Sequence, residues 1–110
     1  MRTQMKLLLL ALFCAAAARG EADPKAARAW KAKCASCHGA DGAGQTDQGK
    51  KLHVEDMTAA SWQKAKTDVQ IKNAIENGAK KGDAEMEGFK DKIDPAQIDL
   101  LVAYVRTLKK

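Results

Sequence analysis

Two cysteines and a histidine stand together at Cys34–Ala35–Ser36–Cys37–His38, with two residues between the thiols. A thiol pair at this spacing can add across the two vinyl groups of a haem, and the next residue then lies under the iron as an axial ligand. This is the c-type haem attachment pattern. Three other chemistries can be weighed against it. A dithiol redox pair expects a βαβ setting, which this chain does not offer. A zinc site would need four N or S ligands, drawn from Cys34, Cys37, His38 and His53, with adjacent Cys37 and His38 both reaching one tetrahedral metal. A plain structural disulfide is the simplest reading of an exported pair. Haem attachment is favoured because it employs all three residues at their spacing, and it predicts one covalently bound haem c.

The second axial ligand decides what such a haem does. Iron held by His and Met is an electron-transfer centre of raised potential, whereas an open position favours ligand binding or catalysis. Met86 lies in the loop Glu85–Met86–Glu87–Gly88–Phe89, ahead of the last helix, where it could wrap the far face of a haem. Met57 precedes a short helix, where a core contact is the better expectation. His53 sits in a Lys-rich, Gly-rich loop and is expected to be solvated; as a ligand it would give a bis-His site of lower potential. Met86 is therefore the expected partner of His38, with His53 next.

The elements that must position these residues read as helices and loops, with no alternating run long enough for a strand. Helix one starts at Asp23–Pro24, a cap acceptor followed by proline, and its apolar spacing is Ala27, Trp30, Cys34 and Cys37. Glycines 39, 42, 44 and 49 then predict a flexible loop to about Val54. A short helix is expected over Thr58 to Lys66. Another begins at Thr67, with Gln70 at capping-box spacing, and stops at Gly78. The last starts at Asp94–Pro95, with Gln97 at the box position and a stripe of Ile98, Leu101, Val102, Val105 and Leu108.

The chain begins with a positive start (Arg2, Lys6), the apolar run Leu7 to Phe13, and small residues Ala15 to Ala18 before Arg19–Gly20. That order is a secretory signal peptide, and the run is shorter than the roughly 20 apolar residues a membrane span needs. The expected organisation is a signal peptide over residues 1–20, cleaved after Ala18 or Gly20, and one domain over residues 21–110. Retention as an anchor is the alternative, and Phe13 before Cys14 is a poor fit to a lipoprotein site. Cleavage reduces the formal charge of +5 to about +2, which removes most compositional support for nucleic-acid binding. It also leaves Cys34 and Cys37 as the only cysteines, so a small exported domain needs some other staple. Gly44 to Lys51 nearly matches a phosphate-binding loop, but Lys51 replaces the final Ser or Thr and no strand precedes it. Lysines 31, 33, 50, 51, 64, 66, 80, 81, 90 and 92 flank the segments around the expected site. They are either ordinary solvated surface or a positive rim that steers acidic partners.

On Cys34-x-x-Cys37–His38, Ile75–Glu76–Asn77–Gly78, Met86-x-Gly88–Phe89 and the run Ile98 to Val105, the chain resembles the class I (mitochondrial-like) cytochrome c family. It is most similar to small bacterial periplasmic members, over essentially all of Asp23 to Lys110. The resemblance implies an all-α cytochrome c fold, three to five helices around one covalently bound haem, with the first and last helices crossing beside it. Trp30 and Tyr104 match aromatic positions at that crossing, Ala26 a small position that permits close approach, and Trp62 a position near a haem propionate or the core. Two departures carry expectations of their own. No proline follows in Asp41 to Val54, so a different backbone carbonyl is expected to accept from His38 Nδ1. Glu87 replaces a frequent proline after Met86, so that loop is expected to be less rigid. The implied function is a soluble, monomeric, periplasmic one-electron carrier rather than an enzyme, with His38 and Met86 as iron ligands and redox proteins as partners.

Overall fold

The computed structural model describes residues 23–110. The expected signal peptide, Cys14 and both candidate cleavage points lie outside the described residues. The chain runs α1 (Pro24–Lys33), α2 (Ala35–His38), α3 (Asp47–Lys51), α4 (Ala60–Ala65) and α5 (Asp68–Asn77). It continues through β1 (Ala79–Lys81), β2 (Ala84–Met86) and α6 (Pro95–Thr107).

Local chemistry accounts for most helix ends. The Asp23 carboxylate accepts from Lys25 and Ala26 N–H, and Asp94 accepts from Ala96 N–H, each ahead of a proline whose missing N–H needs no partner there. Thr67 and Gln70 form a complete capping box at α5, which ends at Gly78. No box forms at α6, where Asp94 alone caps. Helix α4 starts at Ala60 and lacks a side-chain cap of its own. Just before it, Asp56 accepts from the Thr58 N–H and hydroxyl, a local turn that sets the chain direction.

The fold is helical as expected, with two helices more than the sequence pattern drew and one hairpin it did not. The predicted first helix breaks at Cys34, whose φ of −117° ends α1 and starts the single turn of α2. The glycine-rich loop contains α3, capped by the Thr46 hydroxyl, which accepts from Gly49 N–H. Where a plain loop was expected after α5, β1 and β2 pair antiparallel, Ala79 opposite Met86 and Lys81 opposite Ala84. The two-residue turn between them begins with Gly82 at φ +60°, the conformation such hairpin turns require.

The core joins α1, α5 and α6 through Ala26, Trp30, Ile71, Ile98, Leu101, Val102 and Val105, closed by Met57, Phe89 and Ile93. Ala26 is fully buried in this core, where its single methyl leaves room for close packing of α1. The Trp30 and Tyr104 rings meet at 5.3 Å between centroids, as the resemblance implies. Behind this core, buried Gln63 donates to the carbonyls of Met57 and Val105, at 2.7 and 2.9 Å. Arg106 then clamps Gln63, Lys66 and Asp68 to the end of α6.

Candidate cofactor site

A cavity of about 590 Å³ opens beside the core, with apolar walls from Ile71, Ala74, Ile75, Phe89, Leu101 and Val105. Its volume lies in the range of small-molecule and cofactor pockets. The α1–α2 junction contributes Cys34, Cys37 and His38, the segment before α4 contributes His53 and Met57, and β2 contributes Met86. Every residue singled out from the sequence as a haem-holding candidate therefore borders one space. Leu52, Val54, Glu55 and Gln70 border it as well. No period or motif marks Leu52, Val54 and Glu55, because an irregular segment wrapped on a cavity leaves no pattern, and Gln70 is marked only as a helix cap.

Burial tunes the side chains at the junction. His38 is pushed below its ordinary pKa by burial, which keeps the imidazole neutral, the form that ligates a metal. Its Nδ1 is buried with no hydrogen-bond partner among the described residues. The expected backbone carbonyl acceptor is thus not found, because the segment after Gly39 turns without bringing an oxygen to that nitrogen. Packing borders the ring instead, with the Trp30 ring 5.7 Å away and tilted by 35°. Trp30 is itself fixed by donating from Nε1 to the Gly39 carbonyl at 3.0 Å.

The Cys34 thiol is pushed up to about 11, chiefly by burial, with Lys33 opposing and Cys37 adding to the rise. A redox dithiol needs the opposite, a lowered thiol pKa. Both cysteines are free thiols in the structure. Nor does a zinc set assemble: among the described residues no three His, Cys, Asp or Glu side chains converge to hold a metal. His53 is exposed, with a left-handed φ of +53°. Met57 is buried in the core cluster, as expected, whereas Met86 is half-buried on the hairpin. Two thiols, a neutral imidazole and thioether sulfur around an apolar cavity fit a flat apolar group attached through sulfur.

At the rim, Trp62 packs against the core while its Nε1 donates to Glu55 at 2.6 Å. Of the lysines, Lys33, Lys66, Lys80 and Lys81 border the cavity, interspersed with Glu55, Glu85 and Glu87. Lys92 pairs with Glu87. The rim is therefore mixed in charge rather than uniformly positive.

The sequence matches the Cytochrome c family over residues 24–109. Among solved structures it is similar to the KustC0563 c-type cytochrome, at 33% identity and a TM-score of 0.70, covering 77% of this chain and 98% of that one. A tyrosine-to-phenylalanine mutant of Kustc0563 matches at 32% identity and a TM-score of 0.68, covering 77% and 99%. No match was found among curated proteins.

Proposed function

The chain belongs to the cytochrome c family, and we propose that it is an exported, periplasmic one-electron carrier with His38 and Met86 as iron ligands. Members of the family bind a covalently attached haem c and transfer electrons through it. The observation that carries the finer reading is the convergence of Cys34, Cys37, His38 and Met86 on one apolar cavity.

Cys34 and Cys37 would hold the haem through thioether bonds, and His38 would offer Nε2 from a neutral ring. Met86 would offer its thioether. When bound, the haem supplies a single-electron couple, and no bond of a substrate need be made or broken. Thioether ligation and an apolar wall both favour the less charged iron, which supports a raised potential. Ile71, Leu101 and Val105 exclude water from that wall. Export is supported by the pattern of residues 1–20. Among the described residues no helix is long and apolar enough to cross a membrane. Redox proteins are the partners, and the lysines at the rim favour acidic ones, tempered by the glutamates between them.

Met86→Ala in the exported holoprotein tests the assignment. The variant should keep haem in its intact mass, lose the weak red charge-transfer band of Met–Fe(III), and fall in potential. His53→Ala should leave all three unchanged. An unaltered band in Met86→Ala, or its loss in His53→Ala, overturns the ligand set. Rapid carbon monoxide binding by the reduced native protein at neutral pH would instead make it a ligand-binding haem protein.

A further inference from the structure

The hairpin that carries Met86 leaves and rejoins the fold through a neck of two glycines. Gly78 has φ +81° and ψ −179°, a region essentially confined to glycine. A Cβ at Gly78 would overlap the Met86 carbonyl oxygen and lie 3.0 Å from the Gly88 nitrogen. On the other strand, a Cβ at Gly88 would lie 2.6 Å from the Glu76 carbonyl oxygen and 2.8 Å from the Asn77 carbonyl carbon. The two backbones touch with no side chain between them. Just beyond, Phe89 N–H donates to the Ile75 carbonyl at 2.8 Å and Lys90 N–H to the Glu76 carbonyl at 3.0 Å. Just inside, Ala79 pairs with Met86. Met86 is thus tied on both sides to the C-terminal end of α5, the helix whose Ile71, Ala74 and Ile75 border the cavity. The hairpin tip is different, for nothing lies within 4 Å of a Cβ at Gly82.

From this geometry we infer that Gly78 is a positioning residue: the glycine neck holds the Met86 thioether at the haem cavity. The inference rests on Met86 being the ligand. It also revises the expectation of a looser loop at Glu87. The restraint that a proline would give is taken over by direct backbone contact at the neck. The Glu87–Lys92 ion pair adds little, since both side chains are more than half exposed.

The test compares holoprotein variants by intact mass, Soret spectrum, red band and carbon monoxide binding. Gly78→Ala should keep its covalent haem and Soret band but lose most of the red band at neutral pH. When reduced it should bind carbon monoxide at least about tenfold faster, the factor implied by the strain of holding an L-residue in that glycine-confined region. Gly42→Ala is the matched control, since Gly42 also has φ +81° and its Cβ would press on Leu108, away from the hairpin. It should lower the thermal midpoint and leave the band in place. An unchanged band in Gly78→Ala refutes the neck, and so does an equal loss in Gly42→Ala, which would mark general softening. Should Gly78→Ala fail to fold, Gly88→Ala, whose own φ is not left-handed, reads out the same contact from the opposite strand. A band that persists in Met86→Ala sinks the ligand assignment, so the two failures are told apart.

Discussion

Replacing Trp30 by phenylalanine separates the two kinds of contact that hold the α1–α2 junction in place. The indole is 4% exposed, donates to the Gly39 carbonyl at 3.0 Å, and faces the rings of Tyr104 and His38 at 5.3 and 5.7 Å. Phenylalanine keeps an aromatic ring between its neighbours but removes the N–H. The Gly39 carbonyl would not be orphaned, because Gly42 N–H also donates to it, at 3.2 Å. The loss is therefore about 1 kcal/mol, the net value of a hydrogen bond, rather than the full penalty of an unpaired buried carbonyl. The smaller ring leaves a void whose lining adds about 1 kcal/mol. Trp30→Phe should thus destabilise the holoprotein by about 2 kcal/mol, and Trp30→Leu by roughly 1 kcal/mol more through loss of the ring pairs. For a domain of this size the first figure corresponds to a fall of roughly 10 °C in thermal midpoint. Urea titration followed by far-UV circular dichroism measures both, with an unchanged m-value as the condition for comparison. A loss below about 0.5 kcal/mol in Trp30→Phe would refute the role of the Gly39 bond. Equal losses in the two variants would refute the ring pairs.

Two further outcomes follow from the polar contacts. Gln63→Leu removes both donors to the buried Met57 and Val105 carbonyls and the acceptor of one Arg106 bond. It should destabilise by about 2–3 kcal/mol in the same titration and leave the red band intact. The Asp56 carboxyl is held below its ordinary value by the Thr58 hydroxyl and then the Thr58 N–H, against an opposing desolvation, with the charge of Lys110 the weakest contribution. A depressed acid stabilises the fold above its unfolded pKa and loses that contribution as pH falls through the folded one. The stability gap between native protein and Asp56→Asn should therefore be full above pH ~5 and shrink below pH ~4. A gap that stays constant down to pH ~2 would exclude this linkage.

What could be read in the sequence was what sequence-local chemistry decides. A carboxylate followed by proline marks the starts of α1 and α6, and the Thr67–Gln70 box marks α5, because each needs only residues within one turn. Gln97 misleads at α6 since Asp94 caps without it. The proposed attachment residues are equally local, lying within five consecutive positions. The hairpin was missed because strands of three residues are too short to show alternation, although Gly82–Asp83 between them is a recognisable two-residue turn. Nothing near His38 in sequence indicates that its Nδ1 lacks an acceptor; that depends on the path of the chain after Gly39. The Gln63–Arg106 network is likewise silent, since it joins residues 43 positions apart.

The same distinction bears on how so small a domain holds together. Ile71, Phe89, Leu101 and Val105 belong both to the buried core and to the cavity wall, so one face of the core opens on the cavity. An apolar macrocycle seated there extends the core in the way that disulfides reinforce other small exported domains. Its attachment points lie close together at α1–α2, whereas Met86 reaches the cavity on a hairpin anchored to α5. On the proposed assignment, one part of the holding would be covalent and independent of the fold. The other depends on the hairpin keeping its register, which returns to the contact between Gly78 and the Met86 carbonyl. Loss of the hairpin's position would leave the haem attached and the iron with an exchangeable site. On the proposed ligand set, retention of the cofactor and control of the iron would be set by different residues, Cys34 and Cys37 for the first and Gly78 with Met86 for the second.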